Sequence, residues 1–94
     1  MFYVLLCEDK PDSRKLRLDT RDAHLAYVRT RAEWVTLAGP LLSDDGEQMI
    51  GSLFLLQAAS REEVDDFHRN DPYTRAGLWE RVTIRPFRQV IPAA

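Results

Sequence analysis

Cysteine occurs once and glycine four times in these 94 residues, and no apolar run approaches the roughly 20 residues that cross a bilayer. Each scarcity excludes something. A lone Cys7 closes no internal disulfide and suits a reducing cytoplasm, the expected location. Inside an apolar stretch, Cys7 reads as a small buried hydrophobe, a reactive thiol being the other reading. The glycines are too scattered for a phosphate loop or a dinucleotide fingerprint, and no serine nucleophile motif is present. Two histidines, His24 and His68, fall in different segments, with no cysteine pair and no His-x-x-x-His spacing. Neither a metal nor any other cofactor is therefore expected. Basic residues never cluster and the formal net charge is −2, so nucleic acid is not an expected partner; nor is a membrane. The apolar opening Met1–Asp9 lacks a basic flank and breaks into acids, which predicts a strand and not a signal peptide.

What remains is an ordinary globular composition, 45% hydrophobic and 30% charged, sized for a single domain over 1–94. Phe2 to Glu8 is dense in aromatic and aliphatic residues and predicts a strand. Its apolar residues occupy both faces: Phe2, Val4 and Leu6 on one, Tyr3, Leu5 and Cys7 on the other. A turn follows at Asp9–Ser13, then a short helical approach to Leu18 with Leu16 and Leu18 supplying apolar contact. The first long helix is predicted from Thr20, as N-cap, to about Ala32, with Asp22 in its first turn. His24, Tyr27, Val28 and Arg31 share one face of it.

Trp34 to Leu42 predicts a second strand, and Gly39-Pro40 makes it an edge or bulges it there, because proline donates nothing to a ladder. Ser43-Asp44-Asp45-Gly46 signals a hairpin turn. Met49 to Gln57 returns, with Ile50, Phe54 and Leu56 on one face and Leu53 and Leu55 on the other. Ser60-Arg61-Glu62-Glu63 is a capping box opening a second helix, with Val64 and Phe67 inward and Asp65, Asp66, His68 and Arg69 toward water. Asp71 and Pro72 suit the N-cap and N1 of a further short turn, which Gly77 closes in a left-handed conformation. Glu80 to Pro86 predicts the last strand, with Val82 and Ile84 inward, and Phe87 to Ile91 a tail. Trp34 and Trp79 anchor the core or an interface between copies.

Strand, helix, strand, strand, helix, strand is the α+β, ferredoxin-like split βαβ pattern, an antiparallel sheet with both helices on one face. The other face then carries large apolar residues with no cover. Such a patch marks an interaction surface, and a second copy packed sheet to sheet, a homodimer, is the economical occupant.

The opening Phe2-Tyr3-Val4, the segment Arg21-Asp22-Ala23-His24-Leu25, Gly39-Pro40-Leu41, Asp71-Pro72-Tyr73 and Arg85-Pro86-Phe87, in this order and spacing, resemble the YciI-like, or YCII-related, proteins of the dimeric α+β barrel superfamily. The resemblance spans nearly the whole chain. It implies a homodimer of ferredoxin-like subunits and a pocket where a helix-borne histidine meets the aspartate of the Asp-Pro-Tyr motif, here His24 and Asp71. Members are small bacterial proteins of mostly unassigned activity, one relative being a dehydrochlorinase acting on a chlorinated hydroxyquinol. The segment between strands two and three is short here compared with some members, so ligand preference does not carry over.

An imidazole titrates near neutrality and returns the proton it takes, and a carboxylate on its other nitrogen fixes the tautomer. His24 and Asp71 are thus the candidate catalytic pair, and Arg21, Gly39, Pro40 and Tyr73 the candidate substrate-binding residues. Each has a plainer reading. Asp71 is a good N-cap without chemistry, and His24 suits a semi-buried residue bonded to a carbonyl. Arg21 suits an anion or bulk water, and Tyr73 donates into the pocket or simply packs. Three functions follow: a small enzyme of cofactor-free acid–base chemistry (lyase, isomerase or dehydrohalogenase), a small-molecule-binding or accessory module without turnover, and a purely structural dimer.

Overall fold

In the computed structural model, residues 1–93 are described. Phe2–Asp9 forms β1, whose alternation sends Tyr3, Leu5 and Cys7 to a fully buried face while Phe2, Val4 and Leu6 stay half-buried on the other. β2 (Val35–Leu42), β3 (Met49–Gln57) and β4 (Trp79–Phe87) complete a four-stranded sheet in the order β2-β3-β1-β4, with every pairing antiparallel. α1 (Arg14–Arg29) and α2 (Arg61–Asn70) link the strands, and a single-turn helix, α3 (Pro72–Arg75), follows α2. This is the ferredoxin-like α+β arrangement expected from the element order.

The core lies between the helices and one sheet face. Tyr3, Leu5, Cys7, Phe54 and Leu56 meet Val64 and Phe67 of α2, with Tyr27 and Val28 of α1 and Val82 and Ile84 of β4 packed around them. Phe54 and Phe67 touch edge to face, centroids 5.6 Å apart. Across the sheet, Val4 pairs with Leu55 and Leu6 with Leu53, which puts these side chains on the face without helices. Leu37, 52% exposed, stands opposite Leu55 on that same face.

Several boundaries differ from the expected ones. α1 begins at Arg14, so Thr20 is an interior residue and Asp22 lies beyond the first turn. The segment upstream of Thr20 is made of good helix formers, with Lys15 and Asp19 paired at 2.6 Å, and an interior threonine costs only tenths of a kcal/mol. Ser13 takes the N-cap position without a capping bond, its hydroxyl donating to the Pro11 carbonyl instead. The helix also stops earlier, at Arg29, and Leu16 and Leu18 are exposed.

β2 is an edge strand, as Gly39-Pro40 requires, with register irregularities between Val35 and Leu37 and between Leu41 and Leu42. Ile50, expected beside Phe54 and Leu56 in the core, is 48% exposed near the β2–β3 turn. A Cβ on Gly51 would stand 2.5 Å from the Cys7 carbonyl, so only glycine lets β1 and β3 close there. The Ser60 hydroxyl accepts from the Glu63 amide at 3.4 Å, but the Glu63 carboxylate reaches back one residue further than a capping box does, to the Ala59 amide at 2.6 Å. Gly77 takes the left-handed conformation, φ +77°, as its place after α3 predicts. β4 starts one residue before the expected strand, at Trp79. No helix of the described residues is long and apolar enough to cross a membrane.

Candidate active site

α1 carries one inward stripe of unusual composition. Arg17 and His24 are 3% and 8% exposed, two turns apart on the same face, where an amphipathic helix would normally place leucine. Both stay buried because each has a carboxylate partner supplied by another element.

His24 meets Asp71. Its Nδ1 lies 2.7 Å from Asp71 Oδ1, and the same oxygen accepts the Tyr73 amide at 2.9 Å. Asp71 is 1% exposed and is the N-cap of α3. An oxygen already accepting a backbone N–H is an acceptor toward the imidazole too, so Nδ1 carries the proton and donates it. The Tyr73 ring stacks on the imidazole, centroids 4.0 Å apart and 18° from parallel, and Phe54 meets it edge-on at 5.9 Å. Nε2 makes no hydrogen bond, yet no sealed side-chain nitrogen or oxygen goes unpaired among the described residues. Nε2 is therefore open, and the space it opens to is a cavity of about 140 Å³. An imidazole held this way presents a lone pair that takes a proton at Nε2 and gives it back.

Five of the six expected site residues line this one recess, and Asp71 does not. Arg21 and Tyr73 line it together with His24, and Gly39 and Pro40 of the edge strand form the opposite wall; Asp71 stands behind the imidazole. Arg21 is exposed and makes no ion pair among the described residues. Tyr73 is 1% exposed, and burial pushes its phenol above the usual range, with the Arg17 and Arg21 charges pulling the other way. So the two plain readings of Asp71 and Tyr73 hold alongside their positions at the cavity: the carboxylate is a cap, and the ring packs.

Three residues at this site were not singled out from the sequence. Arg17 Nε and Nη2 donate to the two oxygens of Asp9 at 2.7 and 2.9 Å, and Nη2 also donates to Ser52 Oγ at 3.0 Å. Arg17 and Ser52 line the cavity, and the guanidinium lies 4.8 Å from the Tyr73 ring centroid. Burial opposes the Arg17 charge, but the Asp9 carboxylate and the Tyr73 phenol together outweigh it and hold the guanidinium above its ordinary pKa. The available signal was the Arg17–His24 spacing, which puts a charge on the core face of α1. Cys7, beneath the sheet, has its thiol pushed up to about 12, chiefly by burial and then by Asp71 and Asp9, which leaves it a packing residue. Among the described residues no three His, Cys, Asp or Glu side chains stand close enough to share a metal ion.

The same chain plan recurs in known proteins. Protein YciI of Escherichia coli O6:H1 is 34% identical over 97 residues, covering 96% of this chain and 99% of that one. The derivative of benzaldehyde biosynthesis cluster protein C of Emericella nidulans is 39% identical over 93 residues, covering 88% and 92%. Among solved structures, the 5-chloro-2-hydroxyhydroquinone dehydrochlorinase TftG of Burkholderia phenoliruptrix AC1100, in complex with 2,5-dihydroxybenzoquinone, superimposes with a TM-score of 0.87 at 33% identity over 94% of each chain. The YCII-related domain profile matches residues 1–88, and with relatives this similar along almost the full length, the chain belongs to the YCII-related family, built on the dimeric α+β barrel fold.

Proposed function

We propose that this protein is a small enzyme of cofactor-free acid–base chemistry, of lyase, isomerase or dehydrohalogenase type, acting on a small molecule through His24 and Asp71. The observation that carries the proposal is the 2.7 Å Nδ1–Oδ1 contact behind an imidazole whose Nε2 faces a part-open recess. In this reading Nε2 takes a proton from an acidic O–H or C–H of the substrate. The released electron pair forms a π bond. A leaving anion then departs with its own pair, or the proton returns at another carbon. Asp71 stabilises the imidazolium formed in between. Positioned acid–base catalysis is worth roughly 10²–10⁴-fold, enough for a substrate that is already acidic. That a dehydrochlorinase shares this fold at a TM-score of 0.87 supports the reaction class. The homodimer formed through the open sheet face and the cytoplasmic location belong to the same proposal.

The test compares wild type with His24→Ala and Asp71→Asn against activated phenols, quinols and lactones. Turnover should fall roughly 10²–10⁴-fold in His24→Ala. Asp71→Asn should fall too, but by less: its Oδ1 keeps both the cap and the Nδ1 proton, while a neutral amide does not stabilise the imidazolium. Binding that persists with no turnover by wild type leaves a binding module, and turnover unchanged in both variants removes the His24–Asp71 pair from the chemistry.

A further inference from the structure

Arg17 uses only part of its hydrogen-bonding capacity. Nε and Nη2 are committed to Asp9 and Ser52, whereas Nη1 donates to neither, and the nearby Tyr73 phenol adds to the support of the guanidinium. Since no sealed side-chain nitrogen is left unpaired, Nη1 is not walled off, and the guanidinium lines the cavity. An arginine that is 3% exposed thus keeps one nitrogen uncommitted to Asp9 or Ser52 at the wall of the cavity that His24 also lines. The charges agree with that geometry. Two guanidiniums, Arg17 and Arg21, line the cavity and no carboxylate does; Asp9 and Asp71 sit behind the arginine and the histidine that each one holds.

We propose that Arg17 is the anion subsite of this cavity, its Nη1 holding the anionic oxygen (enolate, phenolate or carboxylate) of a planar ligand about the size of one ring, with Arg21 as a second, outer cation. Size agrees: the part-open recess of about 140 Å³ is close to the ~150 Å³ that takes up a benzene ring. Bidentate Asp9 and Ser52 fix the guanidinium plane before the ligand arrives, so little is lost in ordering it. For a proton leaving toward His24, the charge that builds on the substrate oxygen meets a donor already aimed at it. The inference deepens the acid–base proposal and rests on it only for treating this cavity as the substrate site.

Benzoate and its neutral counterpart benzamide serve as probes, followed by calorimetry and by the arginine side-chain ¹⁵N resonances of the wild-type protein. Benzoate should bind about tenfold or more tighter than benzamide, the equivalent of one charge-assisted hydrogen bond, and should shift the Arg17 side-chain signals while benzamide does not. The preference should vanish in Arg17→Gln and survive in His24→Ala. If Arg17→Gln does not fold because Asp9 is left unpaired, the double variant D9N/R17Q removes both charges, and the wild-type resonances decide independently of any variant. Equal binding of the two probes, or a preference with unmoved Arg17 signals, overturns the anion subsite and leaves the acid–base proposal intact. A clear preference in a protein that turns over no substrate has the opposite meaning.

Discussion

At the residue scale, Asp71 serves two elements through one oxygen: Oδ1 caps α3 through the Tyr73 amide and fixes the His24 ring. Removing that carboxylate costs twice. Asp71→Ala loses a cap worth about 0.5–2 kcal/mol and leaves a buried imidazole N–H unpaired, about 1–3 kcal/mol more. A urea midpoint in Asp71→Ala within a few tenths of a kcal/mol of wild type would show that neither contact holds. Asp71→Asn, which keeps an acceptor for the Tyr73 amide, should lose less. His24 and Asp71 were readable because each sits in a short motif with a local reason to exist, a polar residue on an apolar helix face and an Asp-Pro turn opener. Arg17 was not, since a sequence pattern assigns arginine to water unless its partner is known, and Asp9 is supplied by another element, the end of β1.

At the element scale, α2, α3 and β4 are tied by the side chains of His68, Thr74 and Trp79, of which His68 was expected in water. Trp79 Nε1 donates to Thr74 Oγ1 at 2.9 Å, and the same hydroxyl lies 3.3 Å from His68 Nδ1. His68, expected on the water face of α2, is half-buried there because α3 folds back over it. Burial pushes its pKa below the ordinary 6.5, with Asp71 and Asp65 opposing. The unfolded chain therefore takes up this proton first as pH falls. The stability that neutral His68 contributes is complete above 6.5 and is lost as pH drops through the lowered folded value. Urea midpoints at about pH 7.5 and about pH 5 should fall further for wild type than for His68→Gln. Equal falls would show that His68 titrates alike in both states. The start of α1 was misplaced for a related reason: Thr20 looks like a cap only if the residues before it are not helical, and they are.

At the scale of the whole molecule, the sheet has one face under helices and one with none. Phe2, Val4, Leu6, Leu53 and Leu55 are half-buried on the uncovered face, and Leu37 is exposed. A stable pairing of copies buries about 1,600 Å² in total, and these positions supply an apolar centre for it. Sedimentation equilibrium should report a dimer at micromolar concentration, and Leu55→Asp should shift it to monomer by placing a charge at that centre. A wild-type monomer at the same concentration overturns the pairing.

The amino-acid order alone determined the alternation of elements, the edge character of β2, the α3 cap and the left-handed Gly77, because each depends on neighbours a few residues apart. The tertiary structure alone decided which charges could be buried. Arg17 with Asp9 is a pair that no local pattern announces, and His24 and Asp71, each readable in its own motif, meet only in the fold. A desolvated charge is tolerated only where the fold delivers its counter-charge from a distant part of the chain.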